Sequence, residues 1–161
     1  AVIGSLIGLY LYKRKFKFKP LLWIIDRVII PVSIGASFVR IGNFFNSEIV
    51  GKYSGSNFGV VFLNRGENAA RHPAQLYEAL GYLVLFFILK QVYKTNKKDK
   101  PGYLLGVFFT CMFVIRFFVE YLKESQGGFE EYLPLLSTGQ WLSIPFILLG
   151  LFLMLRKTNN Q

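Results

Sequence analysis

The sequence predicts an all-α fold, a polytopic integral membrane protein with about five transmembrane segments drawn from a larger helical bundle. Three observations predict it. The 161-residue chain is 53% hydrophobic and carries 17 Phe, more apolar surface than a soluble domain of this length readily covers. The apolar residues gather in runs at 1–12, 21–45, 74–93, 103–122 and 139–155, and most of these approach the roughly 20 residues a helix needs to cross a hydrocarbon core. The basic residues, finally, concentrate on alternate connections between those runs.

The first run, "AVIGSLIGLYLY", would rise about 18 Å as a helix, too little for a core of about 30 Å. It has no charged leader and no small-residue cleavage site, so it does not read as a signal peptide. We expect a truncated first transmembrane helix, and a chain that is part of a longer protein. The loop at about 13–20 follows, with "KRKFKFK". The run 21–45 contains Pro31 and Gly35, where a kink is expected. Asp26 and Arg27 lie near its start and are expected to offset each other. The stretch 46–72 is polar and Gly-rich. In "RHPAQLYEAL", Pro73 fits a first helical turn, which starts the third helix near His72. After the loop at about 90–102 comes the run 103–122, and then the acidic stretch 123–137, with Glu124, Glu130 and Glu131 against Lys123. The last helix opens with Ser137 followed three residues later by Gln140, a capping-box pattern. A tail, 156–161, ends the chain. No repeat or linker divides it, so 1–161 reads as one transmembrane domain.

Topology follows from charge. Lys13, Arg14, Lys15, Lys17 and Lys19 fall in the first loop, Lys90, Lys94, Lys97, Lys98 and Lys100 around the third connection, and Arg156 and Lys157 in the tail. Together they are twelve of the 19 basic residues. The positive-inside rule puts these segments in the cytoplasm, so 46–72 and 123–137 are expected outside it. The net charge of +10 and pI near 9.8, on so apolar a chain, point to the bilayer as partner and not to nucleic acid. Trp23, Tyr103, Tyr121 and Trp141 read as belt residues. The one cysteine, Cys111, excludes an internal disulfide and a cysteine-based metal cluster, and reads as a packing residue. Zinc spacings, a P-loop, a dinucleotide fingerprint and a serine-hydrolase elbow are all missing from the sequence, so no metal site is expected.

The polar residues inside the runs carry the chemistry. At about 1.5 Å per residue, Arg116 lies about 20 Å, Glu120 about 26 Å and Arg40 about 28 Å from the cytoplasmic ends of their helices. They converge on the outer part of the membrane. Arg116 and Glu120 are four apart, so two readings stand: a self-neutralised ion pair, or an arginine facing a cavity and oriented by the glutamate. Arg40 alone could snorkel to the headgroups. Its neighbours add to it, with Gly42 allowing close backbone approach and Asn43 and Asn46 offering amides one turn apart. Guanidinium groups give phosphate paired, charge-assisted hydrogen bonds. Outward helix N-termini also favour anions. A phosphate site at headgroup depth is therefore expected, the available phosphate being a phospholipid's. His72 is a helix-entry residue that can titrate near neutrality. Gln75 and Glu78 are weaker candidates in the first turns of their helix, where Glu78 favours the N-terminus.

Four blocks in order, "VRIGNFFNSEIVG", "RHPAQLYEA", "RFFVEYLKE" and "TGQWLSIPFILLG", resemble bacterial prolipoprotein diacylglyceryl transferase, and the resemblance spans essentially the whole chain. It implies transfer of the diacylglyceryl group of phosphatidylglycerol to the thiol of the lipobox cysteine in a prolipoprotein signal peptide. Glycerol 1-phosphate is released, in the first step of bacterial lipoprotein maturation. It implies a multi-pass protein of the bacterial cytoplasmic (inner) membrane with its active site toward the extracytoplasmic side, and neither metal nor soluble cofactor. By this resemblance Arg40 binds the phosphatidylglycerol phosphate, with Asn43 and Arg116 also substrate-binding. Glu48, Gly51, Glu120 and Asn46 match catalytic or supporting positions, and His72, Gln75 and Glu78 are weaker matches. The family's His-Gly motif, associated with thiol activation, would precede Ala1, so the fragment alone is expected to be inactive. Met112 stands where family members often have tyrosine, and Lys123 where some have arginine. Two other classes compete with this reading: an anion or solute transporter or channel fragment using the intramembrane arginines, and a lipid-binding scaffold without catalysis.

Overall fold

The structure, a computed structural model, describes residues 2–16, 20–56, 58–124 and 135–157. Among these, five α-helices carry the fold: α1 (Val2–Lys15), α2 (Leu21–Phe45), α3 (Ala74–Tyr93), α4 (Tyr103–Val119) and α5 (Thr138–Leu155). Short 3-10 turns occupy Leu63–Arg65, Asn96–Asp99 and Glu120–Leu122. Four helices are long and apolar enough to cross a membrane: Leu21–Phe45, Ala74–Tyr93, Tyr103–Leu122 and Thr138–Leu155. The helical class expected from the apolar runs is the one found. α1 continues through Lys13, Arg14 and Lys15, where a loop was expected. Long basic side chains are good helix formers, and cations suit a helix C-terminus.

α2, α3, α4 and α5 pack as a bundle, α4 against α5 and α2 against α3 most extensively. Their shared core holds Ile29, Leu85, Leu89, Leu104, Val107 and Phe108. Other apolar side chains, Phe38, Val39, Phe118, Leu148 and Phe152 among them, stay outside that core and exposed. Helices with apolar side chains on their outer faces too belong in lipid. Between α4 and α5 the contact is close. A Cβ on Gly106 would stand 2.7 Å from the Gly150 carbonyl oxygen, and one on Gly150 would strike Thr110. Small residues at such a crossing let two backbones meet, and dispersion contacts then hold them where lipid offers no hydrophobic drive. Phe113 and Phe146 stack 4.4 Å apart along the same interface.

Two polar contacts fasten the buried faces. Ser37 donates to the Ala79 carbonyl at 2.7 Å, tying α2 to α3. Asp26, fully buried, accepts from the backbone N–H groups of Gly102 (2.6 Å) and Leu105 (2.8 Å). It therefore caps the N-terminus of α4 from a neighbouring helix, satisfying two orphan donors. Arg27 acts on Asp26 through its charge, as expected, but without an ion pair between them. Successive helical side chains diverge by about 100°, and Arg27 instead lies over the Trp23 ring, its Cζ 3.4 Å from the centroid.

Residues 46–56 and 58–72 form a cap over one end of the bundle. Isolated antiparallel bridges join Gly51 to Lys123, Tyr53 to Arg71 and Val60 to Arg71. Arg71 holds the cap together. It is paired with Glu67 and Glu124, donates to the Gly51 carbonyl at 3.0 Å, and lies over Tyr53. Its hydrogen bond holds the Glu67 carboxyl below the usual range, and the same bond pushes the Arg71 guanidinium higher still.

Candidate active site

Beneath the cap, three chain segments bring charged side chains together. α2 supplies Arg40, α3 supplies Glu78, and the end of α4 with the residues after it supplies Arg116, Glu120 and Lys123. Glu78 is fully buried. Its Oε2 lies 3.1 Å from Arg40 Nε, and its Oε1 lies 2.9 Å from Lys123 Nζ. Lys123 also reaches Glu120 Oε2 at 3.6 Å. The sequence Arg40–Glu78–Lys123–Glu120 is thus a chain of alternating charge. The Arg40–Glu78 contact is electrostatic and poorly aligned, since Glu78 Oε2 accepts no hydrogen bond. A guanidinium has five N–H donors, and Arg40 also interacts with the Tyr82 hydroxyl.

Arg116, in the last turn of α4, sits one turn before Glu120, which opens the 3-10 turn that follows. The two form no ion pair with each other; Glu120 pairs with Lys123. Glu120 turns instead toward the start of α5, where its carboxylate occupies the space a Cβ on Gly139 would need, 2.3 Å away. Any side chain at 139 would expel it. The N-terminal end of α5 carries partial positive charge, a favourable seat for a carboxylate. The Ser137–Gln140 capping box forms as expected, and Gln140 also donates to the Phe117 carbonyl at 3.2 Å, fixing α5 against α4. Arg116 is left with a buried Nε that has no hydrogen-bond partner among the described residues. Its charge and that of Arg40 both reach the Tyr82 hydroxyl, which lies 3.5 Å from Glu78 Oε1. Counted formally, the group holds three cations and two carboxylates, one positive charge in excess.

The stretch after α2 shapes the wall of this site. Ser47 and Ile49 adopt left-handed backbone, φ 57° and 52°, a strained choice for a β-branched residue. The turn is fixed by the buried Gln75, whose Nε2 donates to the Glu48 carbonyl at 2.6 Å while its Oε1 accepts nothing. Gly51 then passes between two chains, where a Cβ would lie 2.3 Å from the His72 carbonyl and 2.8 Å from that of Leu122.

The expected residues separate into two sets. Arg40, Glu78 and Glu120 join one network through Lys123, with Arg116 beside it; Gln75 and Gly51 build the adjoining wall. Asn46 and the Glu48 side chain are exposed, and Asn43 contributes its backbone carbonyl to the Glu48 N–H. The His72 ring faces Tyr77, 3.3 Å from Nδ1 to the hydroxyl, and Phe58. Two expectations need correction. Glu78 does not serve the N-terminus of its own helix, because its two oxygens are taken by Arg40 and Lys123. A Cβ on Gly42 would meet nothing within 4 Å among the described residues, and within this site the close approaches occur at Gly51 and Gly139. Sequence reasoning missed Lys123 as the link between the carboxylates and Arg71 as the organiser of the cap. The signal for Lys123 was its i,i+3 spacing from Glu120. No local signal marked Arg71.

The family model described as prolipoprotein diacylglyceryl transferase matches residues 1–156. Several relatives named phosphatidylglycerol–prolipoprotein diacylglyceryl transferase are similar. The one from Tolumonas auensis is 43% identical over 159 residues, covering 99% of this chain and 61% of its own length. That from Bacteroides fragilis is 42% identical over 153 residues, covering 94% and 54%. That from Chloroherpeton thalassium is 38% identical over 160 residues, covering 99% and 59%. The chain thus spans 54–61% of these three relatives. The matches lend no support to the transporter reading.

Proposed function

The chain belongs to the prolipoprotein diacylglyceryl transferase family, and from that premise we propose that its parent protein transfers diacylglyceryl from phosphatidylglycerol to the lipobox cysteine thiol of a prolipoprotein signal peptide. Glycerol 1-phosphate leaves. The protein lies in the bacterial cytoplasmic membrane, with the basic connections in the cytoplasm and the cap, 46–72, with 123–137 outside it. The site therefore opens at the outer headgroup level.

The observation that carries the reading is Arg116, whose buried Nε has no hydrogen-bond partner among the described residues, beside Arg40, which pairs with Glu78. The group's excess of one positive charge is matched by the single negative charge of a phosphodiester. In the reaction the thiolate sulfur attacks the glyceryl carbon next to the phosphate. A carbon–sulfur bond forms, the carbon–oxygen bond breaks, and its electron pair stays on the phosphate oxygen. The thiol proton passes to a general base, for which the family's His-Gly histidine is the candidate. Negative charge grows on the departing phosphate, so Arg40 and Arg116 bind the transition state more strongly than the ground state. Glu78 and Lys123 hold Arg40 and Glu120 in register.

The test uses the full-length parent protein with phosphatidylglycerol and a lipobox peptide, and mass spectrometry to detect the diacylglyceryl adduct on cysteine. Arg40→Ala and Arg116→Ala are each expected to lower the rate by about 10²–10³, the loss typical of one charge-stabilising donor. Full activity in folded Arg40→Ala, or no adduct with the unmodified protein, sinks the reading.

A further inference from the structure

We propose a second lipid site at the opposite end of the bundle: the groove between α1 and α2 binds an anionic phospholipid, an acyl chain lying in the groove and the phosphate on Arg27. This does not rest on the transferase reading. The groove encloses about 590 Å³ and is lined by Leu9, Tyr12, Trp23, Ile24 and Val28, with Arg27 the one charged lining residue.

The charge balance there identifies the occupant. Asp26, next to Arg27 in sequence, is spent on the α4 backbone. Arg27 donates to the carbonyls of Trp23 (2.9 Å) and Lys98 (3.4 Å), and stacks on Trp23. These contacts orient the guanidinium but leave its charge without a carboxylate in ion-pair range among the described residues. Its surroundings deepen the positive field. Lys13, Arg14 and Lys15 end α1, and Lys97 and Lys98 lie in the turn nearby, while Asp99 is exposed and forms no ion pair. A purely apolar helix would fill the groove and leave Arg27 with only the backbone-bound Asp26 as a counter-charge, in a setting where charge is costly. An anionic phospholipid supplies both the hydrocarbon and the counter-charge. Basic residues near a membrane surface attract such lipids cumulatively.

Trp23 reports on the groove directly. The full-length protein in mixed micelles would be titrated with brominated phosphatidylserine or brominated phosphatidylcholine. The fluorescence component lost in Trp23→Phe is the signal. The Trp23 component should be quenched at about fivefold lower mole fraction of the serine lipid, the factor expected for one basic contact. Arg27→Gln should abolish that preference while quenching by the choline lipid persists. Leu9→Phe, which fills the groove with Arg27 intact, should weaken quenching by both. Equal quenching of the unmodified protein by the two lipids means annular lipid only and overturns the proposal. So does a preference that survives Arg27→Gln, or a Trp23 component that neither lipid quenches, which would mean that protein covers the groove.

Discussion

Asp26 and Glu78 are both fully buried carboxylates, one toward each end of the bundle, yet they are used in opposite ways. Asp26 meets backbone only. Its two oxygens accept from two N–H groups of α4 at 2.6 and 2.8 Å. Glu78 meets cations, Arg40 at 3.1 Å and Lys123 at 2.9 Å, each on its own flexible stem. A backbone partner cannot leave without unwinding a helix. A side-chain partner can swing toward a ligand and return. The first arrangement fixes architecture, and the second leaves charge on side chains that can rearrange. Neither could be exchanged for the other without cost, because a buried charge stripped of its partners is strongly destabilising.

The contrast can be broken most sharply at Glu78. Glu78→Gln keeps the shape and removes the charge that places Arg40. Transfer activity of the full-length protein is expected to fall about 100-fold, the usual penalty for a group displaced by an ångström, and mass spectrometry of the peptide adduct would measure it. An unchanged rate would make Glu78 a structural residue like Asp26. Next in size is Gly139→Ala. Its methyl group would displace the Glu120 carboxylate, so the rate should drop by about tenfold, roughly the 1.4 kcal/mol of a lost surface-helix-terminus contact in a favourable, partly buried setting. Asp26→Ala tests the other end. It should cost about 2 kcal/mol of stability, since two buried N–H donors lose their acceptor, while molecules that remain folded retain transfer activity. A comparable loss of activity per folded molecule would erase the distinction between the two ends.

The smallest effect is expected in the cap. Glu67 sits below the ordinary carboxyl value of 4.5 because Arg71 donates to it. A depressed carboxylate contributes its stability above that value and loses it as pH falls through its folded pKa. Acidification below about 4.5 should therefore loosen the cap, read as faster proteolysis within 46–72. Glu67→Gln should remove most of that pH dependence.

The helices were legible because their signals are local. The runs 21–45 and 74–93 coincide with α2 and α3, and Ser137 and Gln140 announced their own capping box. Arg40, Arg116 and Glu120 stood out because lipid makes a lone charge conspicuous. What joins them was not legible. Glu78 meets Arg40 and Lys123 across separations of 38 and 45 residues, and helical spacing carries no information about partners so distant. Local adjacency gave the charge interaction of Asp26 and Arg27 but not their contacts, since the two side chains leave the helix in different directions. Gly139 matters because of Glu120, a contact between two helices that only the packed bundle brings about.

The bridges around Arg71 also make the cap a natural seam. Tyr53 and Val60 both pair with Arg71, and Gly51 pairs with Lys123, so the segments on either side of the exposed turn at Leu63–Arg65 are held independently of the peptide bonds within it. On the far side of that turn α2 and α3 remain joined through Ser37 and Arg40. Two polypeptides divided at Asn64 should therefore find each other in the membrane and reassemble, as exposed turns of this kind tolerate cleavage.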